Sequence, residues 1–319
     1  MSNGLCETSL RGVDSHGIRL LPHYINSAIN GRKNPKPNFV FKKTFPSIGY
    51  LDADNGFGHA AGMKAIDYCI KMAHKQGVGI VGVINSSHPG ALASMALKAA
   101  REGYIAFAFT HADSLLLSHG GKRAYFGTNP ICFAVPREEE EPYCLDMATS
   151  MISWNKLLSY RSNNIPLEDN IAADKDGLNT NNADEAASLL PAGLYKGFGL
   201  ASMVEILSGV YTGMRFGSDI ASMYGSPINK PRKLGQFYMV IRTDGIINQD
   251  HFLHRVQELS KDVRNEPSIS REEVMMPNDP EIKTKKIRNK KGIPIDNSTL
   301  NQLMKLSKKY SVKLKIMKK

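Results

Sequence analysis

The stretch KQGVGIVGVINSSHPGALASMALKAAREGYIAFAFT, residues 75–110, decides the fold class. It opens with Gly77, Gly79 and Gly82 in G-x-G-x-x-G spacing. In a dinucleotide-binding Rossmann unit such glycines follow a strand and open a helix, so that helix N-terminal amides face a pyrophosphate. Here the order is reversed. The preceding KAIDYCIKMAHKQ (64–76) has helical periodicity and Gly77 stands where a C-cap is expected, while the following VGIVGVI (78–84) reads as a buried strand. The glycines are therefore expected to serve a cap and a tightly packed strand rather than a phosphate. ALASMALKAAREG (91–103) continues as a helix and YIAFAFT (104–110) as a strand, so the segment is an α/β alternation without a Rossmann phosphate loop.

Outward from this segment the pattern holds. On the N-terminal side a loop from Asp14 leads into a helix marked by Leu20, Leu21, Tyr24, Ile25 and Ala28, and NPKPN (34–38) breaks it. On the C-terminal side FGLASMVEILSGVY (198–211) reads as an apolar helix and QFYMVIRT (236–243) as a strand. From His251 onward the chain reads as helical, interrupted by the Pro-bearing stretch 267–294. Residues 163–185, with DKDG and NTNNAD, read as a polar loop. No internal repeat is present. The arrangement expected is a helical layer from both chain ends around a central α/β region.

Composition narrows the function classes. A chain of 319 residues with 42% hydrophobic content can bury a sizeable core. Its net charge of +11 is concentrated in KTKKIRNKKG (283–292) and KKYSVKLKIMKK (308–319), which read as a solvated helical tail; with no nucleic-acid reading module beside them, no nucleic-acid partner is expected. No stretch reaches the roughly 18 apolar residues of a membrane span, and MSNGLCETSLRG lacks the features of a signal peptide, so neither a membrane partner nor export is expected and the expected compartment is the cytosol. The cysteines, Cys6, Cys69, Cys132 and Cys144, show no CxxC spacing, and the scattered histidines show no ligand spacing, so no metal is expected. Neither GxxxxGK[ST] nor HExxH occurs.

Three polar segments sit beside element ends, where a scaffold presents side chains to a ligand. DSHG (14–17) carries His16, and NSSHPG (85–90) carries His88 at a strand-to-loop junction. Alcohol oxidation needs a base for the hydroxyl proton while hydride leaves carbon, and imidazole suits this near neutrality. Taken singly, His16 also reads as a turn residue and His88 as an ordinary loop histidine. FGTNP (126–130) and LDMATS (145–150) flank the strand ICFAVP; their small residues let backbone amides approach a ligand, and Asp146 offers an acceptor, but a plain hairpin explains the pattern equally well.

Read together, LRGVDSHGIRLLPHY, NSSHPGA, GTNPICFAVP, LDMATS, YKGFGLASMVEILSGV and MPNDPE resemble the malate/L-lactate dehydrogenase family, which includes ureidoglycolate dehydrogenase and is unrelated in fold to the Rossmann-type lactate and malate enzymes. The series spans residues 10–281 in family order, and SWNKLLSYRSNNIP, MRFGSDIASMYG and LGQFYMVI are similar to the ureidoglycolate dehydrogenase branch. The resemblance implies a mixed-sheet α/β cofactor-binding domain at 48–250, with a helical part formed from both ends, 1–47 and 251–319, and assembly as a homodimer. It implies NAD as cofactor, with NADP as the alternative, and a small 2-hydroxy acid as substrate. It places Ala112, Gly127, Thr128, Asn129, Asp146, Met147, Ala148, Lys196, Asn278, Asp279 and Pro280 at the cofactor. It assigns His88 and His16 to catalysis, with His88 the proton acceptor and His16 a donor or substrate clamp, and Ser15, Arg19 and Tyr24 to substrate binding. Arginine suits that task because its fork holds a carboxylate through two parallel hydrogen bonds.

Three positions depart from the family pattern. The family has a further helix ahead of this start, so the chain reads as shortened by one helix; Arg19 follows His16 by three residues where four is common; and Tyr195 precedes Lys-Gly where histidine is common. Alternative readings follow: a reductase of a diketo sugar acid or cyclic imino acid, or a catalytically impaired cofactor-binding homologue.

Overall fold

The structure is a computed structural model that describes residues 1–270 and 272–315. Helices α1 (Ser2–Leu10) and α2 (Leu21–Ile29) precede strands β1 (Val40–Phe45) and β2 (Ile48–Asp52), helix α3 (Gly58–Gln76), strand β3 (Val78–Ser86), helix α4 (Ala93–Arg101) and strand β4 (Tyr104–Thr110). Short strands β5 (Leu116–Leu117) and β6 (Ala124–Phe126) lead to the hairpin β7 (Ile131–Val135) and β8 (Tyr143–Met147), then helix α5 (Trp154–Ser162). Strands β9 (Ala172–Ala173), β10 (Asn179–Thr180) and β11 (Ser188–Leu189), helix α6 (Tyr195–Glu205), which runs on through a π turn at Ile206–Val210, strand β12 (Leu234–Arg242), and helices α7 (Gln249–Arg264), α8 (Asp279–Lys291) and α9 (Asn297–Tyr310) complete the described chain.

The main sheet has seven strands in the order β1-β2-β3-β12-β4-β7-β8. Only β2 and β3 pair in parallel; every other neighbouring pair is antiparallel. A Rossmann sheet would set β3 beside β4 after the α4 crossover. Here β12 inserts between them, antiparallel to both, with Tyr238 opposite Val81 on one side and Ala108 on the other. The glycines of the opening stretch do what their context implies. Gly77 caps α3 in the left-handed region at φ 82°, and a Cβ on Gly79 would lie 2.1 Å from the Cys69 carbonyl oxygen of α3, so this glycine sets how closely helix and strand approach.

Period-two alternation distributes the core over both faces of the sheet. Val81, Val83, Ala106, Ala108, Tyr238 and Val240 point to the face covered by α3 and α4, where Ile66, Cys69, Met95 and Leu97 are fully buried. Phe107, Phe109, Phe237 and Met239 point to the opposite face, beneath Val204 of α6 and Leu207. Truncating one such side chain, Leu97 for instance, to alanine costs about 2–5 kcal/mol. A smaller five-stranded sheet, β10-β9-β11-β5-β6, has its own core of Leu116, Leu157, Ile171 and Leu189.

The chain ends come together: α1 packs on α8 and on α4, and α2 packs on α9. Two expectations need correction. The stretch 267–294 is not an interruption throughout, because Pro280 stands in the first turn of α8, where its missing N–H costs nothing, and the helix runs on to Lys291. The N-terminal segment 1–47 is not wholly helical, because Val40–Phe45 forms edge strand β1 of the main sheet. The polar stretch 163–185 contributes only the two-residue strands β9 and β10. The first basic run falls on α8, where Lys283, Lys285 and Arg288 pair with Glu273, Glu7 and Asp14; the second is not the helical tail expected, since α9 ends at Tyr310 and 311–315 are irregular, and residues 316–319 lie outside the described chain. Among the described residues no helix is long and apolar enough to cross a membrane.

Candidate active site

His88 is delivered by β3, and the polar residues before it are pinned. Ser86 Oγ accepts from Gln236 Nε2 at 2.8 Å; Ser87 Oγ donates to the Gly56 carbonyl at 2.8 Å and accepts from Gly58 N at 2.9 Å. Gln236 Oε1 in turn accepts from the Tyr238 hydroxyl at 2.6 Å. A Cβ on Gly58 would fall 1.9 Å from the Ser87 carbonyl oxygen, so α3 starts directly against the segment that carries the histidine. Fully satisfied buried networks of this kind fix geometry, because each unpaired member would cost the full desolvation penalty.

His16 is held by both chain ends. It closes a 3-10 turn at Asp14–His16. Arg288 of α8 grips the Asp14 carboxylate with two bonds, at 2.6 and 2.8 Å, and donates to the Ser9 carbonyl, while Asn155 Nδ2 donates to the Ser15 carbonyl at 3.0 Å. A Cβ on Gly17 would clash with Ser9 Oγ at 2.0 Å, and Ser9 Oγ itself accepts from Ile18 N. The result stacks the His16 and His88 rings at 5.5 Å between centres, tilted by 24°. Ser15 Oγ lies 2.9 Å from His16 Nδ1, and the Tyr24 oxygen lies 2.7 Å from His88 Nδ1.

These histidines line two cavities of about 190 and 240 Å³, both of which also touch Ala112, Thr128 and Ser153. The first extends past Ala148 and Asp146 toward Arg11 and Glu281; the second extends to Trp154, Tyr224 and Arg232. Electrostatics differ between the two. Burial, with Arg19 adding, brings His16 down to about 4. Burial above all, then the charges of His16, Arg232, Lys33 and His23, holds His88 well below the ordinary imidazole value, so it stands unprotonated at neutral pH. Asp146 lines the first cavity with its side chain still exposed there, and the protein packed around the carboxyl raises it to about 6 although its Oδ2 accepts from Ala93 N at 2.8 Å.

Of the residues expected at the site, Ser15, His16, His88, Ala112, Thr128, Asp146 and Ala148 line the first cavity, and Tyr24 reaches it through His88. Others are placed differently. Arg19 is exposed and lines neither cavity; the guanidinium in the second cavity is that of Arg232, which pairs with Asp113 through Nη2 and donates from Nε to the Ala221 carbonyl at 2.9 Å. Asn129 is fully buried and its amide serves the fold, donating to Glu205 at 2.6 Å and to the Ala201 carbonyl at 2.9 Å. Gly127 keeps the β6–β7 turn against Ala112, where a Cβ would lie 2.7 Å from the carbonyl oxygen. Met147, next to Asp146 in β8, lines neither cavity.

Asp279 is taken up by Arg264 and by the amide of Met276, and Asn278, in the left-handed region at φ 85°, donates to the Pro142 carbonyl at 2.6 Å. Their turn, with exposed Pro280, brings Glu281 rather than itself to the cavity. Lys196 is exposed at the start of α6, beside the close approach of Gly197 to the Thr149 carbonyl. Sequence reading missed Arg232, Asn155 and Arg288. None stands out from its local sequence, and only long-range packing shows what each touches. Among the described residues no group of three or more His, Cys, Asp or Glu could hold a metal ion.

Known proteins share this sequence pattern and fold. The chain is 35% identical over 253 residues to a ureidoglycolate dehydrogenase (NAD(+)) of Escherichia coli, covering 79% of this chain and 72% of that protein. It is 32% identical to a malate dehydrogenase of Pyrococcus abyssi, covering 98% and 88% of the two chains. The crystal structure of malate dehydrogenase from Entamoeba histolytica superposes with a TM-score of 0.92 at 28% identity, over 99% of this chain and 92% of that one. Residues 1–304 match the sequence profile of the family described as malate/L-lactate dehydrogenase, and with the non-Rossmann mixed sheet and the paired histidines already in place, the chain belongs to that family.

Proposed function

We propose that the protein, by family an NAD(P)-dependent dehydrogenase of 2-hydroxy acids, oxidises its substrate with His88 as proton acceptor and Arg232 as carboxylate anchor, and takes NAD. The observation that carries this reading is the shared lining: His16 and His88 border both cavities, so a substrate in the second would meet a cofactor in the first beside the two imidazoles. Support for a nicotinamide nucleotide in the first cavity comes from its small lining residues Gly90, Ala91, Ala93 and Ala148 and from Asp146, an acceptor for ribose or amide groups. When bound, the cofactor supplies the hydride acceptor, and the hydride comes from C2 of the acid. With His88 Nδ1–H donating to the Tyr24 oxygen, Nε2 keeps its lone pair for the substrate hydroxyl; as the C–H pair leaves, the O–H proton passes to Nε2 and the carbonyl of the 2-oxo acid forms. Support for NAD comes from the name of the Escherichia coli relative.

Asp146 gives a pH test. Its ionised form is the better hydrogen-bond acceptor, and with its carboxyl raised to about 6 that form is lost as pH falls through 6. Cofactor affinity, followed by quenching of Trp154 in the wall of the second cavity, is expected to weaken below pH 6, and Asp146→Asn to flatten that dependence. An unchanged pH dependence in the variant would remove Asp146 from the cofactor site.

The partner we propose is a second copy of the chain. Along α6 and its π turn, Leu200, Met203, Ile206 and Val210 are 37–56% exposed at helical spacing, with Tyr195 and Tyr211 beside them, an apolar stripe larger than scattered surface residues produce. Light scattering is expected to give twice the chain mass of 35.2 kDa, and the double variant L200E/I206E a single chain mass. A wild-type chain that stays at one chain mass at micromolar concentration would refute the dimer. A cytosolic location is consistent with four free cysteine thiols.

A further inference from the structure

Lys33 has no place in the reaction described above, yet it is one of the most deeply buried cations in the chain. It follows α2, is 4% exposed, and its Nζ has no hydrogen-bond partner. Among the described residues no carboxylate pairs with it. Instead Nζ sits over two aromatic rings, 3.8 Å from the centre of Tyr24 and 5.4 Å from that of Phe57. A buried lysine without an anion is costly, and the aromatic faces offset only part of that cost. Such a position calls for a use.

We propose that Lys33 is a positioning residue for the proton acceptor: its ammonium packs on the ring of Tyr24, whose oxygen is bonded to His88, and its charge opposes a proton on that imidazole. The geometry is direct. The Tyr24 ring centre is 6.3 Å from that of His88, so the charge lies at most about 10 Å from the imidazole, across protein instead of water. The surrounding groups reinforce the sign. From the loop before β12 comes Arg232, from the end of α2 Arg32 and from within it His23, and from the turn before α2 His16; the one anion in the cluster, Asp113, is already paired with Arg232. Arg32 is committed to the carbonyls of Met223, Ser226 and Pro227, which leaves Lys33 as the unanchored charge.

Burial, with Arg232 and Arg32 adding, brings Lys33 down to about 7. His88 titrates lower still, so Lys33 is charged throughout the range in which His88 would take up a proton. Removing the charge therefore raises the pKa of His88, by roughly 1 unit at that separation and an effective dielectric near 20. In turnover, a proton accepted by His88 next to Lys33 is repelled and readily released.

The test is a histidine-resolved NMR titration of the wild type, Lys33→Met and Lys33→Arg. It reads His88 directly and rests on the proposed catalytic role only for its kinetic meaning, so a wild type inactive on every acid leaves the titration decisive. The expected result is an upward shift of about 1 unit in the Met variant and none in the Arg variant, with the acidic limb of kcat/KM moving in parallel. An unshifted Met variant, or equal shifts in both variants, overturns the proposal. If the Met variant does not fold, the Lys33 Cε resonance of the wild type decides. Titration near 7 with a matching change at the His88 ring supports the proposal; titration near 10, or no response at His88, overturns it.

Discussion

His88→Ala is expected to lower kcat for oxidation of a 2-hydroxy acid by roughly 10²–10⁴-fold while leaving cofactor affinity nearly intact. The two effects separate because His88 lines both cavities and is not among the groups that reach deep into the first. Its loop is held by Ser86, Ser87 and Gln236, whose bonds do not involve the imidazole, so the truncation leaves the scaffold in place. The cost to folding should be small for the same reason: the buried partner left behind is the Tyr24 hydroxyl, which loss of the imidazole opens to the cavities that His88 lines. Steady-state kinetics with a parallel cofactor titration checks this, and an alanine variant with wild-type turnover would transfer the proton to His16.

The second large effect is expected at Arg232. Its Nη2 and Nε are committed to Asp113 and to the Ala221 carbonyl, and Nη1 has no hydrogen bond within the described chain, which leaves it to a substrate carboxylate in the second cavity. Arg232→Met removes a charge-assisted bond and should raise KM by about 10–100-fold, in proportion to the 1.5–3 kcal/mol that such bonds contribute. It also strands Asp113, which is largely buried, and breaking a buried pair in this way costs about 3–5 kcal/mol of stability. The two losses are distinguished by adding Asp113→Asn: the double variant should regain much of the stability and none of the affinity. Recovery of KM in the double variant would show that Arg232 acts through the fold and not on the substrate.

What was legible in the sequence follows from how local each signal is. The α3–β3–α4–β4 run was readable because period, cap and glycine context all lie within 50 residues of one another, and they correctly excluded a Rossmann loop. The insertion of β12 between β3 and β4 was not readable, since nothing in QFYMVIRT states which strands it joins from more than a hundred residues away. Helix α8 was hidden because Pro280 reads as a breaker unless its position in the first turn is known. At the site, His16 and His88 stood out as polar residues at element ends, and the ordered motifs supplied the link between them. Arg232, Lys33 and Arg288 could not be recognised, because a basic residue looks the same in sequence whether it is solvated or packed inside, and the carboxylates of Arg232 and Arg288 lie 119 and 274 residues away. Arg19 illustrates the converse: proximity to His16 in sequence put it forward, but the 3-10 turn at Ile18–Leu20 leaves it exposed.

The most direct measurement uses 2-hydroxy acids deuterated at C2, incubated with the wild-type protein and NAD or NADP, with ureidoglycolate, malate and lactate in the panel. The account predicts that at least one acid reduces the cofactor and that the deuterium appears on the nicotinamide ring, since hydride passes directly from C2 while His88 takes only the hydroxyl proton. No reduction with any acid, or label lost to water, would contradict it.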